Sequence, residues 1–539
     1  MKFTKLKISK LLLIGFLSLS TFSCHDDLDL SPVDPDVISE NQVFSDPAQA
    51  KNALAKLYAA LALTGQAGPD GQPDITGIDE GASQFSRMLF TLNEFTTDEA
   101  IVSWGDAGIP NMHAMSWGAS NPFIEGMYFR LAQTVSFTNS FITNAAPLAG
   151  SNEEVKKYVA EARWIRAYAY YNLLDLFANV PLVTEVTTAL PTQSNRQEIY
   201  TFVESELKAL ENDLAAARSN EYGRVDKVAA YALLSRLYLN AEIWVNQNKY
   251  TDAANYAKLA IESGYVLNTT DVNGNGSAYD ELFLADNNSN GAQNEFIFAL
   301  NFDGNYSRSY GGTTFLVKGA IGGQMVPSES GVNGGWGGPR TTKALVSKFD
   351  ASITQRDGSN NPIAWGDKRA MFFTAGQTYE IQDVGVFAEG YAVRKFSNKT
   401  STGGNGTDAT LEFVDTDLPI IRVAEMYLNY AEAALRGGGD TGLALTYINK
   451  LRERGYGNTS GNVTSINLDF VLDERSRELY WEGTRRTDLI RFNRFTSNYN
   501  WPFKGGVAGG TNVEGHRNLF PLPFNAIAIN PNLKQNTGY

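Results

Sequence analysis

Residues 153–177 read EEVKKYVAEARWIRAYAYYNLLDLF. Apolar side chains fall at Val155, Val159, Ala162, Ile165, Ala169, Leu173 and Leu176, in steps of three and four. That spacing lines one face of a helix, and so long an apolar face has to be covered by other helices. The pattern returns in 196–218, in 224–246, in 250–264 (closed by Gly264), in 420–439 and in 441–455. Segments 46–63 and 122–145 supply a further pair. The chain is therefore expected to be mainly α, with four irregular helix pairs forming a scaffold. Small residues along these helices, as in AYALLSRLYLNA and AEMYLNYAEAAL, allow close helix approach.

The paired form resembles tetratricopeptide units, although the period is irregular. Between 265 and 418 Gly, Asn, Ser and Asp dominate, with short strand-like runs at EFIFALNF (295–302) and TFLVKG (314–319). A second loop-rich stretch covers 64–121. The expected body is one unit over 46–539: a scaffold of about 46–63, 122–264 and 419–495, and a ligand lobe of about 64–121 and 265–418. Loops carried on a rigid scaffold are where binding groups usually sit.

The N-terminus has a different character. MKFTKLKISK is basic, LLLIGFLSLS is apolar but too short to span a bilayer, and TFSC ends at Cys24, the one cysteine of the 539 residues. Residues 1–23 read as a signal peptide. Cys24 resembles the lipid-acceptor cysteine of a bacterial lipoprotein, with Thr21 and Phe22 departing from the strict pattern. HDDLDLSPVDPDVIS follows as an acidic tether over 24–45, in which Pro32 and Pro35 oppose regular structure. Anchorage would run through lipid on Cys24 only. A net charge of −14 argues against a nucleic-acid partner.

Three histidines, His25, His113 and His516, leave little for a histidine triad or a multi-histidine metal site. No phosphate loop, dinucleotide fingerprint or nucleophile-elbow motif is present. Acid pairs Asp79–Glu80 and Asp98–Glu99 keep a glycosidase open. DVNGNGSAYDEL (271–282) and DNNSNGAQNEFI (286–297) have acid and amide residues at calcium-loop spacing but lack the final glutamate. Asp286, Asn288, Asp415 and Asp417 are the candidate ligands for a structural Ca2+; no cofactor is otherwise required.

One stretch, NGGWGGPR (333–340), sets Trp336 among four glycines. It is either a strained turn whose indole packs elsewhere or an aromatic face kept clear of neighbours.

EARWIRAYAYYNLLDLFANVPLV (161–183), LPIIRVAEMYLNYAEAALRGG (418–438), DERSRELYWEGTRRTDLIRFNRF (473–495) and LFPLPFNAIAINPNLKQNTGY (519–539) together resemble the RagB/SusD family of outer-membrane nutrient-binding lipoproteins. Segments 64–87, 93–104, 310–319 and 333–336 resemble its starch-binding founding member. The resemblance implies a non-catalytic, surface-exposed protein of the outer membrane of a Bacteroidota-type bacterium. It implies capture of starch or maltooligosaccharide (an α-glucan) and delivery to a TonB-dependent SusC-like transporter. It also implies an arc of Trp104, Tyr310 and Trp336, with Asp79 and Arg87 as polar partners. Val102 stands where the founding member has a second tryptophan, and 105–108 is altered, so another glycan or a peptide stays open, as does a purely structural lid for the transporter. Arg475, Arg477, Arg485, Arg486 and Arg491 are expected to pair with Glu474, Glu478, Glu482 and Asp488 and with the preceding helices, as scaffold.

Overall fold

The computed structural model describes residues 43–539. The signal peptide, Cys24 and nearly all of the acidic tether lie outside the described residues. Helices α1 (Pro47–Ala62), α2 (Phe85–Asn93), α3 (Pro122–Ala149), α4 (Glu153–Leu176), α5 (Arg196–Leu210), α6 (Lys227–Leu239) and α7 (Tyr250–Ile261) build the N-terminal scaffold. After the loop-rich lobe, which holds α8 (Gly312–Gly319), the C-terminal scaffold has α9 (Val423–Ala433), α10 (Thr441–Tyr456), α11 (Leu468–Leu479) and α12 (Arg485–Arg491).

Acid or amide caps start most of the scaffold. Asp46, Asn121, Asn152, Asn195, Asp226, Asp440 and Asn467 each accept a hydrogen bond from a first-turn amide. Such a side chain satisfies a donor that the helix itself leaves free. Asn195 and Glu198 form a reciprocal capping box.

Helix pairing follows the expected form with one shift. α6 packs on α7, and α9 on α10, but α3 packs chiefly on α4, with α1 lying against both. Three boundaries also differ. The helix expected over 224–246 breaks at Asn240, whose amide oxygen accepts from Arg491 at 3.0 Å and whose amide nitrogen donates to the Arg236 carbonyl. The helix expected from 420 starts at 423, because Leu418–Arg422 is a strand, antiparallel to Phe296–Leu300. TFLVKG is helix α8, not strand: all its residues are buried, and the turn that opens it is held by Gln84, whose amide oxygen accepts from Gly312 N at 3.1 Å. No helix among the described residues is long and apolar enough to cross a membrane.

Buried ion pairs join the two lobes. Glu478 accepts from Arg422 at 2.5 Å and from Arg369 at 3.1 Å, and also meets Arg454; each of these side chains is 0% or 1% exposed. Glu474 meets Arg369, Arg452 and Arg477, and Glu482 meets Arg422 and Lys395. The expected pairing inside 473–495 is seen for Arg475–Asp488, Arg477–Glu474 and Arg491–Asp488. Arg485 and Arg486 instead reach Asp98 and Asp175. Spacing within one helix cannot reveal a partner almost 400 residues away.

Burial by itself raises the Glu478 carboxyl, but Arg454, Arg422 and Arg369 overcome it and hold the group down at about 2. A depressed acid contributes its stability above the ordinary carboxylate range, and that contribution is lost as pH falls through about 4.5 toward 2. Chemical-denaturation midpoints are expected to drop across that window. Glu478→Gln is expected to cost about 3–5 kcal/mol at neutral pH, since it strands buried guanidinium groups, and to flatten the acid limb.

Candidate functional site

A two-residue strand pair sets the site. β1 (Ile101–Val102) runs antiparallel to Pro339–Arg340, with Ile101 opposite Arg340 and Val102 opposite Pro339. Trp104 follows the first strand and Trp336 precedes the second, so the pairing brings two distant tryptophans together. The Ser103 amide extends the ladder to the Gly338 carbonyl at 3.2 Å, and its hydroxyl donates to the Gly337 carbonyl at 2.7 Å. The Trp104 indole N–H donates to the Trp336 carbonyl at 3.2 Å. The two ring centroids lie 6.4 Å apart with planes tilted 49°.

Tyr310 enters from the segment before α8. Its ring lies 6.3 Å from Trp336 at a tilt of 54°, and 5.1 Å from Phe413 on the other side. All three expected arc residues are half-buried. Partial burial raises the Tyr310 hydroxyl pKa, and the nearby negative charge of Asp70 adds to this. Phe315 of α8 backs Trp104 at 6.1 Å.

Arg87, on α2, donates to the Tyr310 carbonyl at 3.1 Å and lies over Phe315 at 4.7 Å and Trp104 at 5.8 Å. Burial lowers its pKa to about 10 against the opposing fields of Asp79, Asp106 and Glu80. The guanidinium thus braces two of the rings from behind as well as lining the strip. Asp79 is exposed; it shapes the turn before α2 by accepting from the Ala82 amide at 3.1 Å. Val102 is fully buried in the strand pair.

The glycines of NGGWGGPR have a different role from the one expected. A Cβ on Gly338 would stand 2.1 Å from the Trp104 ring, and one on Gly335 would stand 2.3 Å from the Ile321 carbonyl oxygen. Gly337 has φ +57°, which favours glycine. These residues are small so that the loop can close on Trp104 and α8. Only at Gly334 is the space open. Three backbone bonds seat the loop: Trp336 N to Lys318 O at 2.8 Å, Gly337 N to Ile321 O at 2.8 Å and Gly338 N to Gly319 O at 2.9 Å.

Sequence reasoning missed the supports. The Lys318 ammonium, almost wholly buried, lies 5.8 Å from the Trp336 ring and pairs with Glu412 at 2.5 Å and Asn333 at 3.0 Å. Asn333 returns two bonds, to Glu412 and the Thr410 carbonyl. Gln84 ties Leu61, Ala62, Arg87 and Gly312 together through one buried amide. Only its place before an apolar helical run marked Gln84 as a cap.

Three of the four residues expected as calcium ligands are engaged by protein groups. Asp286 accepts from the amide and hydroxyl of Ser401, Asp415 from the amides of Gly304 and Thr407, and Asp417 from the Phe302 amide and the Tyr222 hydroxyl. Asn288 is exposed. Asp271 accepts from the amides of Gly274, Asn275 and Gly276. These side chains fold the loops on themselves, and among the described residues no group of three or more His, Cys, Asp or Glu could hold a metal ion. Asp98 and Glu99 are buried and tied to Arg485, out of reach of any polymer.

Half-open rings with charged and amide groups at the rim suit a ligand with apolar faces and polar edges. Comparison with known proteins gives the setting. Residues 370–539 match the model of the SusD family, and 127–239 match a model described as starch-binding associating with outer membrane. The chain is 36% identical, over 98% of both chains, to the starch-binding protein SusD of Bacteroides thetaiotaomicron. It is 25% identical to a SusD-like protein of Bacteroides ovatus, over 69% of this chain and 66% of the other. Among solved structures, a SusD homolog from Bacteroides thetaiotaomicron aligns with a TM-score of 0.71 at 19% identity, covering 93% of this chain and 98% of that one. Surface glycan-binding protein A from Bacteroides fluxus aligns at 0.66 and 22% identity, over 91% and 99%. With that likeness spanning nearly the whole length of both chains, this protein belongs to the SusD family.

Proposed function

We propose that this protein is a non-catalytic binding lipoprotein of the outer-membrane surface. It captures starch and maltooligosaccharides and delivers them to a TonB-dependent SusC-like transporter, held to the membrane by lipid on Cys24. The observation that carries this reading is the convergence of Trp104, Trp336 and Tyr310 at centroid spacings of 6.4 and 6.3 Å with successive tilts of 49° and 54°. A flat ligand cannot lie on three planes tilted in this way, whereas a chain that turns from unit to unit can. Each pyranose has a C–H face that packs on a ring and hydroxyls at its edge for Arg87, Asp79 and their neighbours. The rings are held by backbone bonds and by Lys318, so little side-chain freedom remains to be lost on binding. The starch-binding name of the full-length relative supports the choice of an α-glucan.

Trp104→Ala and Trp336→Ala are each expected to weaken maltoheptaose binding about tenfold or more, on the scale of a central aromatic anchor, as read by isothermal titration with cyclodextrin as competitor. Undiminished binding in both would remove the α-glucan reading. Gly338→Ala should also weaken binding, although it touches no sugar, because its methyl displaces the Trp104 ring. Incubation of the pure protein with amylose should release no reducing ends; release would mark a glycosidase.

A further inference from the structure

We infer that the ligand strip continues past Tyr310 into a second saccharide subsite. It occupies a cavity of about 240 Å³ between α1 and the 303–308 loop, lined by Lys56, Gln66, Pro69, Asp74, Tyr306 and Arg308. The inference rests on the α-glucan reading above and extends it to ligand length.

Tyr306 is 89% exposed, more than any other large apolar residue described. Its backbone is nevertheless held. Asp303 accepts from the amides of Asn305 and Tyr306 at 2.8 and 2.9 Å, the Asp303 amide donates to the Ser307 hydroxyl at 2.6 Å, and the Gly304 amide donates to Asp415 at 2.7 Å. An anchored loop that holds an aromatic ring in water costs free energy for which the fold shows no packing return. A ring presented in this way suits a ligand with an apolar face.

Two contacts bring the wall of the cavity up to Tyr310, at the end of the three-ring strip. Arg308, on its wall, lies 5.5 Å over Phe413, and Phe413 packs against Tyr310. Pro69, also on the wall, precedes Asp70, whose charge acts on the Tyr310 hydroxyl. The wall chemistry is mixed: two cations, a carboxylate and two amides beside the rings of Tyr306 and Phe137. Such a set suits a neutral polyhydroxylated ligand better than an ion of either sign. A glycan long enough to pass Tyr310 would rest its next units on Tyr306, with Arg308 and Gln66 bonding hydroxyls.

The test compares ligand lengths by isothermal titration. Maltotriose can cover only the three-ring strip, and maltoheptaose reaches beyond it. Tyr306→Ala and Arg308→Ala should each lower maltoheptaose affinity about threefold to tenfold, the scale of one ring contact, and leave maltotriose unchanged. Trp336→Ala should lower both. Tyr306 lies outside the core, so its variant should melt with the unsubstituted protein. Unchanged maltoheptaose affinity in both variants would overturn the subsite, as would an equal loss for the two sugars. Failure of the unsubstituted protein to bind either sugar is a different result: it removes the α-glucan reading itself.

Discussion

Trp104 stands where it does because Asp98 is neutralised. The Asp98 carboxylate is fully buried and receives Arg485 at 2.7 and 2.8 Å, Lys348 at 3.1 Å and the Tyr499 hydroxyl at 2.8 Å. Burial acts to raise its pKa, and the two cations more than reverse that. Its carbonyl meanwhile accepts the Thr342 hydroxyl at 2.6 Å, just after the Pro339–Arg340 strand that follows Trp336. A single buried acid therefore pins both sides of the strand pair to the C-terminal scaffold. Glu99 beside it is pushed up by burial to about 7 and is balanced by Arg485 and Ser476. Such groups are costly to bury singly and tolerable only as a completed set, so they specify one arrangement of lobes more than they add net stability.

The three-ring strip proposed to bind ligand inherits that rigidity. Loops usually carry function at some cost in order. Here the functional loop is closed onto α8 by three backbone bonds and onto Trp104 by a glycine contact, so the aromatic surface is formed before any ligand arrives. The loop-rich lobe is held in the same way throughout. Asp271, Asp286, Asp408 and Asp415 each gather amides or hydroxyls from their own neighbourhood. The carboxylates of these loops serve as anions for backbone dipoles.

Much of the scaffold was legible because helical periodicity is local. The steps along 153–177 and the closure at Gly264 both act within a few residues. Helix ends were misread where a distant side chain intervened, as at Asn240, whose side chain meets Arg491 where the helix breaks. TFLVKG was misread because a short apolar run carries no period, and its helical state depends on Gln84, more than 200 residues earlier. The three rings were located through a resemblance, and their convergence could not have been derived from composition. What the residues alone could not supply was the cluster behind them: Lys318, Glu412 and Asn333 are ordinary polar residues in the sequence and become a brace only when folded. The glycines around Trp336 were correctly singled out, but their purpose was inverted, since a bare stretch of chain looks the same whether it faces ligand or protein.

The Asp98–Arg485 pair has a temporal consequence. Its two members are separated by 387 positions. Until the C-terminal helices have emerged, the N-terminal half contains a carboxylate it cannot bury and a strand whose partner is not yet fixed. Closure of the lobe is thus a late, long-range event of high contact order, slow compared with formation of the individual helices. A chain interrupted before residue 485 would hold most of its helices yet present no assembled aromatic surface, so ligand recognition itself reports that synthesis has run to the end.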